Sequence, residues 1–112
     1  MKSAVITLGA ICLCAATASA QAINDAQIAS IVVTANQVDI DAGKLAVATS
    51  TNPEVKKFGQ LMVTDDAVVN KQAVALVTKH KVTPEDNDTS KSLKAGGEKN
   101  VPSLKTLKGA AF

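Results

Sequence analysis

From Asn24 onward the apolar positions recur at intervals of three and four, the repeat of one face of an α-helix and not the alternation of a strand. Ile28, Ile31, Val32, Ala35, Val38, Ala42, Leu45 and Ala46 form a first stripe. Gln27, Ser30, Thr34, Gln37, Asp41 and Lys44 fall on the opposite side. Asn24 and Asp25 are both good N-cap residues, so the first helix is expected to start there and to end near Ser50. Thr51-Asn52-Pro53-Glu54 is a sharp restart: Asn52 can cap, Pro53 suits the first helical position, and Glu54 sits in the positive first turn. A second stripe follows at Val55, Phe58, Met62, Val69, Ala73, Leu76 and Val77, with Lys57, Gln60, Thr64, Lys71 and Thr78 facing away, and ends near Lys81.

So short a link makes the two helices antiparallel neighbours. Val82 to Thr89 reads as a polar loop, after which Leu93, Val101, Leu104 and Leu107 give a third, weaker stripe. Gly96-Gly97 and Pro102 weaken that helix and are expected to break it in two. The pattern predicts an all-α fold, an antiparallel helical hairpin plus a weaker third helix. A bundle of this kind ordinarily has a fourth helix. The expectation is therefore a domain over residues 21–112 whose C-terminal helices are missing, or one that completes its core with a homo-oligomeric or other helical partner.

The first 20 residues follow a different logic. Met1-Lys2 supplies a positive charge, Ala4 to Ala16 is almost continuously apolar, and Ala18-Ser19-Ala20 places small residues where a signal peptidase reads them. Ala20-Gln21-Ala22 offers a slightly later cleavage point. The apolar run falls short of the roughly 20 residues a transmembrane helix needs. Residues 1–20 are thus expected to be a cleaved secretory signal, and the mature chain to be periplasmic or secreted with no membrane span. Both cysteines, Cys12 and Cys14, lie in that signal, so the mature chain has no thiol for a disulfide.

Composition sharpens this picture. Phe58 and Phe112 are the only aromatic residues in 112, so the core has to be made of small aliphatic side chains. The net charge is +2, all of the positive part lysine, with neither the clustered basic residues nor the stacking aromatics of a nucleic-acid surface. No Gly-rich phosphate loop is present, since Gly96-Gly97 lacks the spacing and the preceding strand. One histidine and no mature cysteine give no support for structural zinc, thiol catalysis or a serine triad.

Few polar residues look misplaced. At 100° per residue Asp39 falls in line with Val32, Ala35, Ala42 and Ala46, and Asp66 in line with Met62, Val69 and Ala73. Asp39 lies about 12 residues before the turn and Asp66 about 14 after it, so both are placed roughly 20 Å from the hairpin tip. Asp65 and Asn70 flank the second stripe, and His80 lies on it near its end. Two carboxylates at one level of a bundle interior require a cation, a proton or a donor. Two readings stay open: a degenerate divalent-metal site built on Asp39 and Asp66, with Asp65 and His80 as outlying ligands, or solvated carboxylates at the edge of a loose interface. His80, in a last helical turn, also suits the helix dipole.

Taken as an ordered set, Asp39-Ile-Asp-Ala-Gly-Lys-Leu-Ala46, Asn52-Pro-Glu-Val-Lys-Lys-Phe58, Met62-Val-Thr-Asp65 and Leu104-Lys-Thr-Leu-Lys-Gly-Ala-Ala-Phe112 resemble an exported bacterial family, domain-of-unknown-function family 4142, whose members are described as outer-membrane or membrane proteins. The resemblance spans about residues 24–112. It implies a ferritin-like up-down helical bundle and no established activity. Family members carry Asp-His after the Met-Val motif, where this chain has Asp65-Asp66, and they continue into further helices. The resulting expectation is a non-enzymatic helical-bundle protein of the cell envelope with no cofactor of known identity. A metal-binding ferritin-like protein and a self-associating interaction module are its alternatives.

Overall fold

The computed structural model describes residues 22–112. The expected signal segment, with Cys12 and Cys14, lies outside the described residues. Within them the chain forms three α-helices, α1 (Asp25–Thr49), α2 (Pro53–Lys79) and α3 (Asp88–Lys105), then a short 3-10 turn at Gly109–Ala111, and no strand. The all-α hairpin with a third helix is as the pattern predicts. None of these helices is long and apolar enough to cross a membrane.

Each boundary has a local cause. The Asn24 side chain accepts the Gln27 N–H at 2.9 Å, and the Gln27 side chain accepts the Asn24 N–H, closing a capping box. The Asn52 side chain accepts the N–H groups of Glu54 and Val55 ahead of Pro53. At the other end of α2 the chain leaves through Lys81, whose φ of 54° is left-handed. There the Val82 N–H donates to the Val77 carbonyl and the Lys81 N–H to that of Thr78, the paired bonds of a Schellman ending with lysine where glycine is usual.

α1 packs against both α2 and α3, and those two do not touch one another. The connection from α2 to α3 explains this order. It crosses the start of α1 and is tied there: the Glu85 N–H donates to the Ala26 carbonyl at 2.9 Å, Asn87 Nδ2 to the Gln27 carbonyl at 3.1 Å, and Ser30 Oγ to Asp86 Oδ1 at 2.9 Å. α3 therefore starts beside the start of α1 and runs parallel to it on the side away from α2. Ser30, expected to face solvent, is buried because α3 covers it, as is Ser90, whose Oγ accepts the Asn87 N–H.

The faces in contact differ from the expected stripes. In α2 the positions that are not exposed are Gly59, Met62, Val63, Asp66, Asn70, Ala73 and Val77; Met62 apart, these repeat at intervals of four and three. In α1 the matching row is Ala29, Val33, Asn36, Ile40, Gly43 and Val47. Phe58 and Leu76, assigned to the interior by periodicity, are 63% and 59% exposed. The reason lies at the crossing. A Cβ placed on Gly43 would lie 2.6 Å from the Gly59 carbonyl oxygen, and one on Gly59 would lie 2.9 Å from that of Gly43 and 3.1 Å from Ala46 Cβ. The helices meet backbone to backbone at two residues without side chains, and α2 turns to present its glycine in place of its phenylalanine.

α3 is also a correction. It runs unbroken through Gly96, Gly97 and Pro102. Gly97 is a packing position, since a Cβ there would come within 2.8 Å of Val38 Cγ2. Pro102 lies in the last turn, where its missing N–H costs a single backbone bond.

These contacts order the glycines by consequence. Gly43→Ala and Gly59→Ala are each expected to destabilise the fold by about 1–3 kcal/mol through overpacking. Gly96→Ala, where a Cβ meets nothing within 4 Å, should stabilise it by up to about 1 kcal/mol through helix propensity. Urea unfolding followed by circular dichroism measures all three.

Candidate functional site

The α1–α2 seam is apolar or glycine along most of its length and polar in one stretch. Asn36 Nδ2 donates to Asn70 Oδ1 at 3.0 Å, and Asn70 Nδ2 donates to the Val33 carbonyl at 3.3 Å. These two amides cross-link the helices and satisfy one another. Asp66 lies one turn before Asn70 in the same row and is half-buried. Its Oδ2 is buried and has no hydrogen-bond partner. A carboxylate oxygen shielded from water with no donor is costly, by about 1–3 kcal/mol or more for a charged group.

The other sequence-derived candidates lie elsewhere. Asp39 is exposed, so Asp39 and Asp66 are not enclosed together in one interior. The cause is the rotation that turns Ile40 and Gly43 toward α2: the residue before Ile40 points about 100° away. Asp65 and His80 are exposed as well. His80 is the C-cap of α2, its backbone N–H donating to the Leu76 carbonyl at 3.0 Å. With Asp25 it borders an apolar groove at the open end of the hairpin, lined by Ile28, Val32, Leu76 and Val77.

Among the described residues no three His, Cys, Asp or Glu side chains are grouped as metal ligands would be. The orphaned oxygen marks Asp66 as the group in need of a partner. One carboxylate beside two mutually bonded amides does not fit a di-metal carboxylate centre, which draws carboxylates from all four helices and histidines from two. Asn36, Asn70 and the facing glycines are the residues that periodicity alone missed. Their signal was present as a strict four-three repeat running through polar and glycine positions, where an apolar-only count skips them.

The second feature is the outer side of α2. Phe58, Leu61, Val68 and Leu76 are exposed there, and α2 has no neighbour but α1 among the described residues. A shallow depression on its N-terminal half is bounded by Glu54, Phe58, Leu61 and Asp65.

The family model for DUF4142, a domain of unknown function, matches residues 12–112. The chain belongs to the DUF4142 family. No curated relative and no solved structure matches it. Membership in DUF4142 assigns no reaction, so a function has to be argued from the two features above.

Asp66→Asn removes the unpartnered charge and keeps the shape. It is expected to raise stability by about 1 kcal/mol in urea unfolding. A fall in stability would show that the carboxylate meets a compensating partner in solution.

Proposed function

We propose that this DUF4142 chain is an exported protein of the cell envelope that acts by helix packing and not by catalysis, with the outer face of α2 as its binding surface for a helix of another chain. The observation that carries the reading is the row of large apolar side chains left uncovered on α2, with Phe58 63% and Leu76 59% exposed. Rows of this kind on a soluble helix are ordinarily buried against something. Helix-in-groove and coiled-coil recognition both use apolar anchors three and four residues apart. Export is supported by the order of charge, apolar run and small residues in the first 20 positions.

Placing a photo-crosslinking phenylalanine analogue at position 58 or 76, in cells producing the full chain, tests both parts. The protein is expected in the periplasmic fraction with an intact mass that reports cleavage after Ala20. Discrete adducts are expected from positions 58 and 76 and none from exposed Lys99 on α3. Adducts absent at both α2 positions would remove the docking reading, and an uncleaved cytoplasmic product would remove export.

A second reading, a divalent cation held at Asp66, draws on the orphaned Oδ2 alone. Calorimetric titration of the mature chain with Mn(II), set against Asp66→Ala, separates it from the first. The reading predicts a binding heat that the substitution abolishes; absent or equal heats eliminate it.

A further inference from the structure

The uncovered side of α2 carries a second four-three row, distinct from the one used against α1. It runs Glu54, Phe58, Leu61, Asp65, Val68, Gln72, Ala75 and Lys79, and every member is exposed. Two rows on opposite sides of one helix are the pattern of a helix with a neighbour on each side. The inner row has its neighbour in α1. The chemistry of the outer row indicates what its neighbour is.

Laid antiparallel on itself, the outer row matches in a single register. Glu54 then faces Lys79 of the second copy, Phe58 faces Ala75, Leu61 faces Gln72 and Asp65 faces Val68, and by symmetry each pair occurs twice. Opposite charges close both ends, and the largest side chain in the row meets the smallest apolar one. Along one flank the same register sets Lys57 against Thr78 and Thr64 against Lys71, so no like charges oppose. Met62, Val69 and Leu76 widen the apolar contact along the other flank. A parallel pairing would set Glu54 on Glu54 and Lys79 on Lys79. Charge and size complementarity of this kind is what selects partner and orientation in two-helix seams.

Resting on the docking reading above, we infer that the occupant of this face is a second copy of the chain, joined by α2 antiparallel to α2 about a two-fold axis between Asp65 and Val68. Nothing on α3 obstructs it, since α3 packs on the far side of α1. The row spans about 38 Å of helix, and one helix width gives on the order of 400 Å² per copy. That is at the low end of specific interfaces, so the dimer is weak and concentration-dependent. Asp65, drawn toward the seam near its symmetry mate, weakens it further.

The test is sedimentation equilibrium of the mature chain across micromolar concentrations. A reversible monomer–dimer equilibrium is expected. Phe58→Asp, at a position exposed in the monomer and so without cost to the fold, is expected to weaken it tenfold or more, with circular dichroism unchanged. Asp65→Leu is expected to tighten it several-fold. Because the mature chain has no cysteine, Glu54→Cys and Lys79→Cys can be prepared separately and mixed under mild oxidation. The antiparallel register predicts a disulfide in the mixture and none in either protein alone.

A monomer up to hundreds of micromolar overturns the inference, as does a dimer indifferent to Phe58→Asp or one giving disulfides in the single proteins. The docking reading would survive any of these if photo-crosslinks at positions 58 and 76 joined the chain to a different protein, and it fails only if those crosslinks are absent.

Discussion

The contact between the backbones of α1 and α2 at Gly43 and Gly59 controls the rest of the molecule. Two helices that approach this closely must do so where neither carries a Cβ, and the chain offers one such pair at matching heights in the hairpin. Fixing that crossing fixes the rotation of both helices. It turns Ile40 inward and makes it, with Ala29, one of two fully buried apolar side chains among the described residues. It also turns Asp39, Phe58 and Leu76 outward. The core is thin because its closest layer is made of backbone, which gains dispersion contacts while burying little hydrocarbon.

A seam so short of bulky side chains needs another source of specificity. Asn36 and Asn70 supply it, since their mutual bond is made in one register and lost in any slip of the hairpin. Asp66, one turn away with a buried, unpaired oxygen, is the cost on the same stretch. Local rules agree with the global arrangement at the caps, the turn and the glycine crossing, and disagree at this carboxylate. Such isolated disagreements are where function or exchange with solvent is most often found.

Much of this was legible beforehand, and the reasons are local. Asn24, Asn52 and Pro53 mark helix ends through bonds made within three residues, which need no knowledge of the fold. The antiparallel hairpin follows from the length of its link. The rotation of each helix was not legible from apolar spacing, because that count scores Phe58 above Gly59, whereas packing here rewards the residue that lets backbones meet. The burial of Ser30 depends on α3, and the position of α3 depends on bonds from Glu85, Asp86 and Asn87 to residues about 60 places earlier in the chain. The carboxylate pair inferred at Asp39 and Asp66 failed for the same reason: a shift of one position in the inward row moves Asp39 to the surface.

The tie over the first turns of α1 has a kinetic consequence. Its acceptors on α1, the carbonyls of Ala26 and Gln27, and its hydroxyl donor at Ser30 all lie within five residues. That target does not exist until α1 is helical, and the hairpin, closed by a two-residue link, is the piece of lowest contact order. Assembly is therefore sequential: the hairpin zips from its tip, and only then can the strap dock and lay the third helix down. Because the strap grips one end of α3, opening of the domain should begin at the opposite end, near Lys105, and travel back toward the knot of asparagine and serine that was the last part to form.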